Sequence, residues 1–212
     1  MTHEIRNSIT PIASLSADLL KHLDPVPISR QREGLEVINS QAKNLTAFLD
    51  SYHRLTHLPE PEYKTVTIQA LFTKLERLLQ AEPGSERIVY SGGKAGKSTD
   101  KELQIYGDVN LVTLALINLI RNALQAVEGQ WDGIVRVDAY AGATGRLFIT
   151  ITDNGPGIPP ERLSAVFTPF YSTKSGGSGI GLPISQRIMQ LHGGQLSVLS
   201  IQNVRTTFKM EF

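Results

Sequence analysis

Two heptad-patterned segments separated by a pair of prolines constrain the fold more than any other feature of the sequence. In the first segment, apolar residues recur at alternating steps of four and three, with Ser16 at the one polar position of the stripe: Ile5, Ile9, Ile12, Leu19 and Leu23. Pro25 and Pro27 then end the helix, because proline lacks a backbone N–H and disfavours the α conformation in the preceding residue. The second segment repeats the alternation: Leu35, Ile38, Ala42, Leu45, Leu49 and Tyr52. The pattern predicts an α-helical hairpin.

The hairpin is predicted to span residues 1–60 and to carry the dimer contacts of the protein. Two helices cannot bury both of their apolar stripes, so a hairpin of this kind pairs with a second copy in a dimeric four-helix bundle. A linker with Pro59 and Pro61 follows, and the heptad pattern ends there.

Residues 63–212 form a second predicted domain of mixed strands and helices. The strands are predicted at 63–68, 87–90, 103–106, 134–140, 146–152, 195–199 and 206–212, and the helices at 69–80, 108–127 and 180–191. Strands that arrive in pairs with helices between them predict an α+β two-layer sandwich, in which helices cover one face of a mixed sheet.

Composition excludes several classes of function. The chain has 21 Lys and Arg against 20 Asp and Glu, so its net charge of +1 gives no field that favours nucleic acid or an anionic membrane. It has no Cys, which excludes disulfides, thiolate nucleophiles and cysteine-ligated zinc and fits the cytoplasm. No uninterrupted apolar run reaches the roughly 18 residues that span a bilayer. We expect a cytoplasmic portion without nucleic-acid or membrane contacts.

Three motifs in the second domain carry chemistry. The first motif follows a predicted strand and reads Asp153-Asn-Gly155-Pro-Gly157-Ile158. Its carboxylate can accept a hydrogen bond from a purine amine, and a flat ring can approach the glycine backbone beside it. Alone, the motif also fits an ordinary Asx turn. The second motif, the glycine-rich run 176–181, leads directly into a predicted helix. This arrangement is typical of phosphate-binding sites, and alone it also fits a flexible hinge. Asn118 and Asn122 share one helix face, where they bind Mg²⁺ or form a structural pair.

Together these motifs resemble the GHKL/Bergerat ATP-binding domain of histidine kinases, type II topoisomerases, mismatch-repair ATPases and a class of heat-shock chaperones. The resemblance covers residues 63–212, and the segment 167–170, Phe-Thr-Pro-Phe, is similar to the F box of the kinases. It implies that Asp153 reads the adenine amine, that Asn122 binds Mg²⁺ and that Lys174 reaches the terminal phosphate from a lid over 159–177. The other implied ATP-binding residues are Asn118, Gly155, Gly157, Ile158, Gly177, Ser178, Gly179, Ile180, Gly181, Leu182 and Thr207.

Two further positions favour the kinase branch of this superfamily. The ATP-hydrolysing members carry a general-base Glu four residues before the Mg²⁺ ligand, and this chain has Asn118, whose amide cannot deprotonate water. At the other end of the chain, His3-Glu4-Ile5-Arg6-Asn7 resembles the kinase H box. By that resemblance His3 accepts the phosphoryl group, Glu4 fixes the imidazole tautomer and takes its proton, and Asn7 supports phosphatase activity.

The resemblance therefore implies a sensor histidine kinase that binds ATP and Mg²⁺, phosphorylates itself on His3 and passes the phosphoryl group to the receiver domain of a response regulator. Because His3 lies so close to the first residue, the hairpin is expected to be truncated at its N-terminus. Ser8 stands where the H box more usually has Pro, and Arg205 where Gly commonly precedes the last strand. The alternatives are a non-catalytic dimeric scaffold with the kinase fold and a GHKL-type ATPase.

Overall fold

The chain divides into two compact units, Met1–Leu58 and Pro59–Phe212. A computed structural model describes residues 2–22, 29–92, 102–173 and 178–212. Side chains in parts of the first unit fall outside this description, those of residues 2–9 among them.

The first unit is a pair of helices, α1 (Thr2–His22) and α2 (Ser29–Thr56), that pack against each other. Ala42 and Leu49 are buried in the contact between the helices, and Ala13 packs against them. Ser16, the polar position of the first stripe, is also buried, and its hydroxyl donates to the Ala13 carbonyl at 3.1 Å. Seven large apolar side chains of the described part of the two helices are exposed: Ile12, Leu15, Leu19, Val37, Ile38, Leu45 and Tyr52.

The second unit contains a five-stranded mixed sheet in the order β2-β4-β5-β7-β6 and a separate two-stranded sheet formed by β1 and β3. Only β2 and β4 pair in parallel among the described strands; every other pairing is antiparallel. The strands are β1 (Lys64–Thr67), β2 (Ile88–Gly92), β3 (Gln104–Gly107), β4 (Val135–Ala141), β5 (Leu147–Asp153), β6 (Gln195–Ile201) and β7 (Arg205–Glu211), and the helices are α3 (Ile68–Leu79), α4 (Val109–Ala126), α5 (Pro160–Leu163) and α6 (Gly181–Leu191).

The core lies between the five-stranded sheet and the helices α3, α4 and α6. Alternate residues of the central strand β5 point into it, and Ile149 and Ile151 are fully buried there. Helix α4 crosses this core, with Leu116, Leu119 and Ile120 fully buried. By length and composition, α4 is the one helix of the described chain that could cross a membrane, and half of it is buried inside the protein. Its apolar composition is therefore that of a core helix.

Asp108 fixes the start of α4. Its carboxylate accepts from the backbone N–H groups of Asn110 at 2.8 Å and Leu111 at 3.0 Å, and its second oxygen accepts from Glu62 N at 2.8 Å. Its own N–H donates to Nε2 of His192, the residue that ends α6, at 2.9 Å. Burial raises the pKa of Asp108, but these backbone donors and the neighbouring His192 together hold the pKa below its ordinary value.

The elements agree in type and order with the sequence prediction, and three features go beyond it. The strands β1 and β3 leave the main sheet and pair with each other. The start of the predicted lid, residues 159–177, contains the short helix α5. Strand β6 ends two residues later than predicted and β7 begins one residue earlier, so that only three residues form the turn between them.

Candidate functional site

Helix α4 links the predicted nucleotide motifs: Gly155, two residues after Asp153 at the end of β5, lies against Ala126 of α4, and Gly181 at the start of α6 lies against Asn118. Helices α4 and α6 pack against each other. Asn118 Nδ2 on α4 donates to the carbonyl of Gly181, the first residue of α6, at 3.5 Å. The Ser185 hydroxyl donates to the same carbonyl at 2.9 Å. The asparagine motif and the second glycine motif are thus in direct contact.

Asp153 lies at the end of β5 with 2% of its surface exposed. One carboxylate oxygen accepts from the N–H of Gly155 at 3.0 Å, which closes the first turn of the glycine loop. A Cβ on Gly155 would lie 2.8 Å from that oxygen and 2.9 Å from the Ala126 carbonyl of α4. Glycine is required here because the loop passes between the carboxylate and the end of α4.

The rest of the first glycine loop rests against the turn between β6 and β7. Gly157 has φ of 72°, and a Cβ there would lie 2.6 Å from the Ile201 carbonyl. Asn203 N–H donates to the Pro156 carbonyl at 2.7 Å, and the N–H of Ile158 donates to the Ser200 hydroxyl at 2.7 Å. The loop is therefore fixed to the sheet along its length.

Asn154 fixes the same loop from the opposite side. Its Oδ1 accepts from Ile134 N–H at 2.8 Å, and its Nδ2 donates to the Asp132 carbonyl at 2.9 Å. Both partners belong to the connection between α4 and β4, which also carries Trp131, 95% exposed. Sequence reasoning did not select Asn154, although an Asn directly after a strand end is a signal for this kind of side-chain-to-backbone bridge.

The side chain of Asn122, unlike that of Asn118, forms no hydrogen bond with a described residue. It is half-buried. In the described ranges no group of three His, Asp or Glu residues could hold a metal ion. An amide oxygen that is half-buried and unpaired fits Mg²⁺, which takes one or two protein oxygens and completes its shell with phosphates and water.

The second glycine motif forms the entry to α6. Ile180 is buried and caps the helix without a side-chain hydrogen bond, so the first backbone N–H groups of α6 are not used by a cap. Gly179 has φ of 64° and lies against the backbone of Phe170 and Tyr171, and its carbonyl accepts from Phe170 N–H at 3.0 Å. Ser178, Gly181 and Leu182 lie along this entry. Lys174 and Gly177 lie outside the described residues.

Thr207 is not brought to Asp153. Asp153 pairs across the sheet with Thr206, and both are buried on the helix-covered face. Since successive residues of a strand point to opposite faces, Thr207 points to the other face, where its hydroxyl lies 3.0 Å from that of Thr152. The neighbouring Thr206 occupies the position beside the aspartate.

The predicted phosphoacceptor motif can be located only by the helix that contains it. Helix α1 includes the positions of His3, Glu4 and Asn7, and their side chains lie outside what the structure describes.

Comparisons with known proteins agree with this geometry. Residues 107–212 match the family model described as "Histidine kinase-, DNA gyrase B-, and HSP90-like ATPase". The chain is 31% identical over 208 residues to sensor histidine kinase ZraS of Salmonella typhimurium strain LT2, which covers 98% of this chain and 43% of that kinase. The chain thus spans less than half the length of this relative.

Two solved structures share the fold. The structure of full-length ShkA in complex with AMPPNP has a TM-score of 0.67 and 21% identity, and the match covers 99% of this chain and 44% of that one. The structure of histidine kinase ThkA in complex with response regulator protein TrrA has a TM-score of 0.64 and 23% identity, and the match covers 99% of this chain and 58% of that one.

Proposed function

Because the chain belongs to the histidine kinase-, DNA gyrase B- and HSP90-like ATPase family, we propose that it is the catalytic part of a sensor histidine kinase. The second unit binds ATP with Mg²⁺, and His3 on the first unit accepts the γ-phosphoryl group. The phosphohistidine then passes the group to an aspartate of a response-regulator receiver domain. One observation carries the proposal: α4 links the three motifs, because Asn118 contacts Gly181 at the start of α6, and Gly155, beside the buried Asp153, lies against Ala126 at the end of α4.

Each part of this site has a defined task in the proposed reaction. Asp153 accepts a hydrogen bond from the adenine amine, and the N–H groups at the start of α6 bind phosphate oxygens, to which the positive end of the helix contributes. The Asn122 carboxamide oxygen would hold Mg²⁺, which would supply positive charge beside the phosphates. The His3 imidazole nitrogen forms the new bond to phosphorus, ADP leaves, and Glu4 takes the imidazole proton.

Asn118 supports a kinase over an ATPase. Its carboxamide donates to the Gly181 carbonyl and has no group that can take a proton from water. ATP bound beside it is therefore hydrolysed slowly and persists until an imidazole arrives.

The exposed apolar side chains of α1 and α2 support a homodimer. Seven large apolar side chains of the described hairpin are between 43% and 63% exposed, a stripe that a second copy would cover in a four-helix bundle. As part of such a kinase, this portion lies in the cytoplasm, where the response regulator and ATP are found. Asn7, four residues after His3 in the sequence, would assist dephosphorylation of the regulator.

Incubation with γ-labelled ATP and Mg²⁺ tests the proposal. We expect acid-labile label on the parent chain, no label on His3→Gln and full label on the control His57→Gln, which makes the same change at an exposed histidine. If the parent releases phosphate rapidly, at a rate that His3→Gln does not alter, and never becomes labelled, the chain is an ATPase. If it neither binds ATP nor becomes labelled, it is a scaffold.

A further inference from the structure

The end of β6 supports the candidate site through a residue that none of the recognised motifs contains. We propose that Ser200 is a positioning residue, whose hydroxyl holds the first glycine loop in the shape that binds nucleotide. That this loop binds nucleotide rests on the proposed function. The hydrogen bond by which Ser200 holds the loop, which we call the Ser200 clamp, rests on geometry alone.

Ser200 is half-buried near the end of β6, and its hydroxyl has three partners. It accepts from Ile158 N–H at 2.7 Å, donates to the Arg205 carbonyl at 3.2 Å and lies 3.0 Å from the Thr206 hydroxyl. A serine hydroxyl has one hydrogen and two lone pairs. With Thr206 as a donor to it, these contacts use the full capacity of the group.

The hydroxyl joins the two sides of the predicted adenine site. Thr206 pairs across the sheet with Asp153, and Ile158 lies five residues after Asp153 at the far end of the glycine loop. Ser200 therefore ties the end of the loop to the strand that lies beside the aspartate. Without the hydroxyl, the half-buried N–H of Ile158 loses its partner, and this end of the loop is no longer fixed.

Neighbouring contacts of the loop do not replace this anchor. The Asn203 N–H to Pro156 carbonyl bond and the close approach of Gly157 to Ile201 precede Ile158 in the loop, and neither holds its last residue.

The decisive comparison uses side chains of equal shape. Thr and Val both suit a strand, and Ser200→Thr keeps the hydroxyl that Ser200→Val removes. Ser200→Ala removes it with less bulk. Ser197→Ala is the matched control, because Ser197 lies on the same strand, is half-buried, and its hydroxyl has no hydrogen-bond partner among the described residues.

Two measurements read the effect on the intact chain. Amide hydrogen exchange of the nucleotide-free protein reports the Ile158 N–H, and calorimetric titration with ADP reports the site. We expect Ser200→Ala and Ser200→Val to speed exchange at Ile158 about tenfold or more and to weaken ADP binding about five- to tenfold, as expected from loss of a buried hydrogen bond. Ser200→Thr and Ser197→Ala should match the parent in both measurements.

Unchanged Ile158 exchange in Ser200→Val overturns the clamp. The positioning role is overturned if Ser200→Val speeds Ile158 exchange but leaves the dissociation constant for ADP unchanged. It is also overturned if Ser200→Thr and Ser200→Val lose the same ADP affinity. If the parent itself binds no ADP, the proposed function fails, and the exchange rate of Ile158 still decides whether Ser200 holds the loop.

Discussion

At the scale of single residues, Asp153 is the side chain on which we expect nucleotide recognition to depend most. It is almost fully buried at the end of the central strand, and the Gly155 N–H holds one of its oxygens in place. Such a carboxylate is oriented before the ligand arrives, so an amine that meets it loses little free energy to rearrangement.

We expect Asp153→Asn to weaken ADP binding about ten- to hundredfold, because a charge-assisted hydrogen bond contributes about 1.5 to 3 kcal/mol and the amide can present a donor to the adenine amine. Calorimetric titration measures the loss. Asp132→Asn, the same change at an exposed carboxylate nearby, should bind as the parent does. Equal affinity of the Asp153 variant and the parent would remove Asp153 from the site.

Asp108 gives the second unit a defined response to acid. Its pKa is lower in the folded chain than in the unfolded one, so the ionised form stabilises the fold at neutral pH, and this contribution is lost as the pH falls through the folded pKa. We expect the free energy of unfolding, from urea titrations followed by far-UV circular dichroism, to decline below about pH 4.

Asp108→Asn supplies the control for this pH dependence. The amide oxygen can still accept from the N–H groups at the start of α4, but it does not titrate. The variant should be less stable at neutral pH and lose less on acidification. An unaltered acid slope in the variant would assign the slope to other groups.

At the scale of elements, the sequence predicted the strand and helix types because periodicity and turn residues are local signals. Asp108 before an apolar helix and the glycines after α6 could be read directly. The choice between Thr206 and Thr207 could not, because it depends on the register between β5 and β7, which only the folded sheet fixes. The same holds for Ser200 and Asn154, whose partners lie 42 and 20 residues away.

The first glycine loop and its supporting turn should be intolerant of a single methyl group. Gly157→Ala places a Cβ 2.6 Å from the Ile201 carbonyl at a φ of 72°, so we expect a loss of stability of about 2 kcal/mol or more and a marked loss of ADP affinity. Urea unfolding followed by circular dichroism measures the loss of stability, and calorimetric titration measures the loss of ADP affinity.

Gly193→Ala separates backbone strain from contact. Gly193 has φ of 68°, and no heavy atom lies within 4 Å of a Cβ placed there. This variant should therefore lose only the roughly 1 to 2 kcal/mol of a left-handed non-glycine residue and keep its ADP affinity. If Gly157→Ala and Gly193→Ala lower the free energy of unfolding equally, the close contact of Gly157 with the end of β6 adds nothing to the cost of the extra methyl group.

At the scale of the whole molecule, family membership confirms the resemblance found from the motifs, and the helical pair leaves an apolar surface that one copy cannot cover. Ile38 and Leu45 lie seven residues apart on α2 and are 47% and 43% exposed. A double change of Ile38→Asp and Leu45→Asp puts charge on that surface and leaves the buried Ala42 and Leu49 in place.

We expect the parent chain to be a dimer in sedimentation experiments and this double variant a monomer with unchanged helix content, because charge buried in a bundle is strongly unfavourable. Leu78→Asp, an equivalent change at a 52% exposed leucine of α3, should remain dimeric. A parent that sediments as a monomer would contradict the bundle.

The exposed indole of Trp131 determines how this protein appears in a fluorimeter. It is the only tryptophan of the chain, so all indole emission originates from the connection between α4 and β4. Water already surrounds the ring in the folded state, and its emission should be as red-shifted, and as open to quenching by acrylamide, as that of free tryptophan. Denaturation will therefore pass almost unnoticed in emission wavelength, while a molecule that settles against this connection will shift the spectrum to the blue.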